Sequence, residues 1–165
     1  MRLHVLTAVS RPENLPEIAW SIMEAAKKAP TVDWIWHQRL DRERRWVGGQ
    51  RLKNEMLNDI TDGWVCILDD DTVMHPDFLR RVSFVLATQP LVERECRAII
   101  VSQKRTTGVI MRASPENAVV GKIDAGQAVL RRDLIGDTRI PETYAGDGAW
   151  LETLLTGRND VHYMR

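Results

Sequence analysis

Apolar positions along this chain follow two rhythms. Compact apolar runs at residues 3–9, 32–37 and 64–68 have the length and composition of buried strands. Between them apolar residues recur at helical spacing: Leu15, Ile18, Ala19, Ile22, Met23 and Ala26, then Leu52, Met56 and Ile60, then Phe78, Leu79, Val82, Val85 and Leu86. Each series predicts an amphipathic helix. The punctuation agrees with this. Ser10-Arg11-Pro12 predicts a turn, and Asn14 with Glu17 three residues on predicts a capping box. Pro16 fits a first helical turn, Pro30 and Asp62-Gly63 mark helix ends, and Pro76 opens the third helix. Strand and helix alternating through residues 1–88 predict an α/β fold with a mostly parallel central sheet flanked by helices.

The rhythm loosens over residues 89–165. Short strands are predicted at 98–101 and 109–111, joined as a hairpin about Thr106-Thr107-Gly108, and at 127–130 ahead of the polar Arg131-Arg132-Asp133. Trp150, Leu151, Leu154 and Leu155 predict a fourth helix that stops at Gly157, and 161–163 a last strand. No repeat, low-complexity tract or linker interrupts the chain, so residues 1–165 read as one domain.

Composition narrows the function classes. Apolar residues make up 44% of the chain and charged ones 28%, ordinary values for a globular domain. Lys+Arg and Asp+Glu are equal at 23 each, so no overall field favours nucleic acid or an anionic membrane. A local basic cluster, Arg39, Arg42, Arg44 and Arg45, suits a solvated loop or an anion contact, and Trp46 within it suits stacking on a base or sugar. Cys66 and Cys96 have no metal-type spacing, and Cys66 reads as a core residue. The apolar run at residues 1–6 is too short for a signal peptide, and no stretch reaches the roughly 20 apolar residues of a membrane span. The expectation is a cytoplasmic protein.

The chemistry gathers at Trp64-Val65-Cys66-Ile67-Leu68-Asp69-Asp70-Asp71, where an apolar strand ends in consecutive carboxylates. In open α/β sheets ligands bind at the carboxyl ends of the strands. Adjacent carboxylates repel unless a cation or hydrogen-bond donors compensate them. Mg²⁺ or Mn²⁺, hard ions that prefer oxygen ligands, suit Asp71, with Asp69 directly or through water. Strand alternation, if it persists, sends Asp69 and Asp71 to one side and Asp70 to the other. A solvated acidic turn capping the next helix is the alternative. Asp147 has two compatible readings: an N-cap for the Trp150 helix, or a general base. Glu142 and Glu152 are the other acids near it.

Several stretches together resemble the GT-A glycosyltransferase fold. Leu6-Thr7-Ala8-Val9-Ser10-Arg11-Pro12 is similar to its first strand and turn, and Gly49-Gln50-Arg51-Leu52-Lys53-Asn54 to its glycine-to-Arg-Asn segment. Asp69-Asp70-Asp71 matches its DXD motif, in an all-aspartate form that resembles the beta-1,3-glucuronyltransferases, as does Trp34-Ile35-Trp36. Asp124-Ala125-Gly126-Gln127-Ala128-Val129 resembles an acceptor-side segment, and residues 144–151 the late helix start where such enzymes place a catalytic acid. The resemblance implies a metal-dependent transferase moving a sugar from a nucleotide-sugar, a UDP-sugar first, to a hydroxyl of a sugar, lipid or protein acceptor.

It also implies roles for particular residues. Residues 1–88 would hold the nucleotide and residues 89–165 the acceptor and catalytic groups. Arg11, Lys53, Asn54, Asp69 and Asp70 would bind the donor, with Asp70 toward the ribose; Asp69, Asp71 and His162 would ligate the cation; Asp147 would be the base of an inverting displacement. Related families hold the base with a second-strand aspartate; here that strand ends in His37-Gln38, and Asp41 is the nearest acid. His75, before Pro76, reads as a turn residue. Two other readings compete. Asp69-Asp70-Asp71-Thr72-Val73 also fits the pattern of haloacid-dehalogenase-type phosphatases, with Asp69 as nucleophile and Asp71 as acid/base. A nucleotide-binding module without turnover is the third.

Overall fold

A computed structural model of the chain describes residues 1–42, 49–88 and 95–164. Arg44, Arg45 and Trp46 of the basic loop lie outside the described residues. The strands β1 (Arg2–Val9), β2 (Asp33–Leu40) and β3 (Trp64–Ile67) form a parallel block in the order β2-β1-β3. The sheet continues through β7 (Ala128–Arg131), β4 (Ala98–Val101) and β8 (Val161–Met164). β7 runs antiparallel to both neighbours, and β8 is parallel to β4, so β7 is the reversed strand in an otherwise parallel sheet of six.

Helices cover both faces, and the period-two alternation of the strands decides which residue meets which helix. Leu3, Val5, Cys66 and Ile99 share one cluster with Ile18 and Ile22 of α1 (Leu15–Lys27) and Leu79 and Val82 of α3 (Phe78–Thr88). Leu6, Val65, Ile67 and Ile100 share the other with Met56 and Leu57 of α2 (Gln50–Asn58) and Trp150, Leu151 and Leu154 of α5 (Gly146–Leu155). The result is a three-layer α/β domain with two apolar cores, one on each face of the sheet. A one-turn helix, α4 (Arg132–Ile135), follows β7 where the sequence predicted only a polar break.

Three local expectations are corrected. The capping box at Asn14 does not form: the Asn14 side chain makes no cap, and its Nδ2 instead donates to the main-chain oxygen of Asp70 at 2.7 Å. A capping box of that spacing does form at Asp124–Gln127. The hairpin is displaced as well. β4 is wholly buried inside the sheet, so β6 (Ile110–Met111) pairs with the polar β5 (Gln103–Lys104). Finally, β2 runs past His37 to Leu40, because an edge strand tolerates the polar residues that seemed to end it.

Two glycines allow the close approaches that place the site. Gly49 precedes α2 at φ 71°, and a Cβ there would sit 2.5 Å from the Ala8 Cβ of β1. At Gly146, the first residue of α5, a Cβ would fall 1.8 Å from the Pro141 carbonyl oxygen. Both helices can therefore start hard against their neighbours. α2 carries Lys53 and α5 carries Asp147.

Candidate active site at the carboxyl ends of β1 and β3

β3 stops at Ile67, and a turn closed by Thr72 N–H donating to the Asp69 carbonyl (3.0 Å) carries the three acids. The strand alternation therefore does not reach them, and each acid finds a different environment.

Asp70 is buried, and protein donors saturate it. Its Oδ2 accepts from the Ser10 N–H (2.6 Å), the Ser10 hydroxyl (2.8 Å) and the Arg11 N–H (2.6 Å). Its Oδ1 accepts from Arg11 Nε (3.2 Å) and Nη2 (2.8 Å). Burial alone would push the Asp70 carboxyl up, but the bonds from Ser10 and Arg11 outweigh it and hold the group below the usual carboxylate range. Asp70 thus pins the β1–α1 turn to the end of β3.

Asp69 pairs with Lys53, Oδ1 to Nζ at 2.7 Å, and the Lys53 side chain is only 3% exposed. Burial by itself would lower the lysine. Asp69 overrides it, helped by Asp147 and Asp124, and the ammonium is held above its ordinary value. Asp71 is about half exposed, and its Oδ2 lies 2.9 Å from Arg11 Nη2. One guanidinium therefore spans Asp70 and Asp71.

The second half of the chain adds two acids to this cluster. Asp147 is in the first turn of α5 rather than at its N-cap, which is Ala145. Its Oδ1 accepts from Gly148 N–H at 2.9 Å and its Oδ2 from Ala125 N–H at 3.4 Å. Asp124, which sequence reasoning left without a role of its own, closes its capping box by accepting from Gly126 N–H at 2.9 Å. Burial, then the charges of Asp69 and Asp147, push the Asp124 carboxyl up against the lowering pull of that bond. The sequence carries the signal: Asp124 and Gln127 have the same spacing as Asn14 and Glu17.

These groups line one cleft of about 630 Å³. Ser10, Arg11 and Asp69–Asp71 contribute from the first half, and Arg105, Asp124, Tyr144 and Asp147 from the second. Asp41, the acid nearest the end of β2, also reaches it. The buried Gln50 lines the cleft too, and its Oε1 has no hydrogen-bond partner among the described residues.

Other expected site residues lie elsewhere. Asn54 does not line the cleft: its Nδ2 donates to the Ile140 carbonyl and its Oδ1 accepts from the Ile140 N–H, both at 2.9 Å, tying α2 to the segment before α5. His162 is exposed on the edge strand β8, with β4 and β7 between it and β3, and does not meet Asp69 or Asp71. Glu142 and Glu152 are also absent from the cleft wall; Glu152 accepts from the Val120 N–H at 3.3 Å. His75 accepts from the Asp77 N–H at 3.1 Å within its own turn.

Among the described residues, no group of three His, Cys, Asp or Glu side chains is arranged as a metal cage. A magnesium-like ion does not need one, because it binds through one or two carboxylates and takes its other ligands from water and substrate phosphates. The hard oxygens of Asp71, half exposed at the cleft, fit that donor set.

The architecture has counterparts among solved structures. A crystal structure of S. aureus TarS 1-349 matches all of this chain at TM-score 0.68 and 13% identity, and a longer S. aureus TarS structure at TM-score 0.67 and 12% identity. TarS is a GT-A-type glycosyltransferase. The fold is glycosyltransferase-like. The chain spans 58% of the length of the first TarS structure and 35% of the second. No protein-family model matches the sequence, and no curated protein matches it. Among the described residues no helix is long and apolar enough to cross a membrane.

Proposed function

We propose that this domain transfers a sugar from a nucleotide-sugar, with a UDP-sugar as the first candidate, to an acceptor hydroxyl. The observation that carries the reading is the buried Lys53 paired with Asp69 in one cleft with Asp124 and Asp147, at the strand edge of a glycosyltransferase-like fold. It joins a fixed cation to the Asp147 carboxylate, which among the described residues accepts only from main-chain N–H groups.

The two parts divide the work of a displacement at the anomeric carbon. Asp147 takes the proton of the acceptor hydroxyl as its oxygen attacks. The bond from the anomeric carbon to the diphosphate oxygen breaks, and its electron pair leaves with the nucleotide. Negative charge grows on that diphosphate, and the Lys53 ammonium and Arg11 guanidinium lie on the cleft wall to meet it. Mg²⁺ or Mn²⁺ held by Asp71, with Asp69 nearby, would add Lewis-acid stabilisation of the same charge. A single in-line attack inverts the anomeric centre. Asp70 enters this scheme as the anchor of the Arg11 turn, since both its oxygens already serve protein donors.

The phosphatase reading is not favoured. Its aspartate motif ends a first strand, whereas Asp69–Asp71 follow β3, and Asp69 is engaged by Lys53. A thermal-shift panel of nucleotides and nucleotide-sugars, with and without Mn²⁺, tests the donor. A rise in melting temperature with uridine diphosphate plus Mn²⁺ is expected; a panel in which no nucleotide moves the transition overturns the reading.

A further inference from the structure

Arg11 is shared unequally between its two acids. Asp70 keeps three other donors, Ser10 N–H, Ser10 hydroxyl and Arg11 N–H, and stays anchored whatever the guanidinium does. Asp71 has Arg11 as its ion-pair partner, at 2.9 Å, with both side chains about half exposed. Exposed pairs of this kind are weak and readily exchanged. Lys53 differs: it is buried against Asp69 and held by further acids, so that pair is fixed. Of these two cations, Lys53 is built in and Arg11 is displaceable.

We propose that Arg11 is an internal counter-ion that occupies Asp71 while the cleft is empty and gives it up when a divalent cation arrives together with a nucleotide diphosphate. The carboxylate cannot serve the guanidinium and a divalent ion at one oxygen without bringing like charges together. A cation alone must therefore displace Arg11 from Asp71 with no new anion to take that acid's place. When a diphosphate comes too, the guanidinium, still tethered to Asp70, has a new anion to face. Cation and nucleotide then bind as a coupled pair, each raising the affinity of the other by the same factor. This rests on the donor reading above and goes beyond it, assigning Arg11 the task of suppressing cation binding in the absence of nucleotide.

The test is Mn²⁺ binding, read from the electron paramagnetic resonance signal of free Mn²⁺, without and with uridine diphosphate. In the wild type, Mn²⁺ alone binds weakly and the nucleotide strengthens it by about tenfold or more, an ordinary coupling between sites. Arg11→Ala binds Mn²⁺ alone about tenfold more tightly, with a correspondingly smaller gain from nucleotide. Arg11→Lys behaves like the wild type, and adding Asp71→Asn to Arg11→Ala removes the gain. If Arg11→Ala fails to fold, Arg11→Gln carries the same expectation, since it removes the charge and keeps a donor for Asp70. Equal Mn²⁺ affinity in wild type and Arg11→Ala, with nucleotide-dependent binding intact in both, overturns the counter-ion while leaving the donor reading in place. No Mn²⁺ uptake by either protein even with nucleotide overturns both.

Discussion

Asp70 and Asp147 line the same cleft from different halves of the chain, and their surroundings are opposite in kind. Asp70 is buried under donors from Ser10 and Arg11 and kept ionised by them. Asp147 receives two main-chain N–H groups, one of them at 3.4 Å, and among the described residues no side-chain donor bonds it. The first half commits its acid to structure. The second half presents an acid with lone pairs to spare, beside an Asp124 whose carboxyl is pushed up by burial. Charge that is fully compensated fixes geometry, whereas charge that is under-compensated is available for proton transfer. That contrast is why Asp147, and not Asp70, is the proposed base.

The largest effect is expected where the contrast is removed at its reactive side. Asp147→Asn keeps the size and hydrogen-bonding reach of the side chain, and transfer should fall by roughly 10²–10⁴-fold with nucleotide affinity unchanged. Steady-state rates beside calorimetric nucleotide binding check this; wild-type turnover would remove Asp147 from the mechanism. Asp70→Ala attacks the other side. It leaves the Ser10 and Arg11 N–H groups without their acceptor, and stability should drop by about 3 kcal/mol, seen as an earlier urea midpoint. An unchanged midpoint would mean Asp70 is no anchor.

Lys53→Met sharpens the contrast, because it strips Asp69, Asp124 and Asp147 of their shared cation while preserving side-chain length. Nucleotide affinity should weaken by about 10–100-fold, the worth of a charge-assisted hydrogen bond. Calorimetry on a variant with native circular dichroism separates this from unfolding.

The smallest effect lies outside the cleft, at the imidazole pair His4 and His37, whose Nδ1 and Nε2 are 2.9 Å apart. Burial lowers both below the ordinary histidine value, with the His37 neighbour next in order for His4 and Arg39 adding to the lowering at His37; Asp62, Asp33 and Asp59 oppose this and Arg2 adds to it. Above about pH 6.5 both folded and unfolded chains hold these rings neutral, and they contribute no pH dependence. As pH falls through that value the unfolded chain takes up protons first, so stability declines until the folded rings titrate as well. Melting temperature should therefore fall between pH 7 and 5, and His37→Gln should flatten the fall. The same slope in that variant would place its cause elsewhere.

The elements of the first half were largely legible because their signals are local. The compact apolar run of β1 and the helical spacing in α1 and α3 each lie within one element. What escaped was non-local. Nothing in the four residues of β7 states the direction in which it pairs, and its reversal is set by where the chain returns to the sheet. Spacing predicted a capping box at Asn14, but an acceptor 56 residues away won the side chain. The acids after β3 were visible as a candidate site, and they line the cleft. Which acid would be spent on Arg11 and which on Lys53 depended on a turn, closed at Thr72, that replaced the predicted strand. His162 was placed by resemblance to a late histidine, and its strand lies at the far edge of the sheet.

The central claim is that this cleft binds a nucleoside diphosphate through the acids that follow β3. Calorimetric titration of uridine diphosphate with Mn²⁺ into the wild type and Asp71→Ala tests it most directly. Saturable binding in the wild type, lost in Asp71→Ala at an unchanged melting temperature, is the predicted result. Equal binding to both proteins, or none to the wild type, would contradict it.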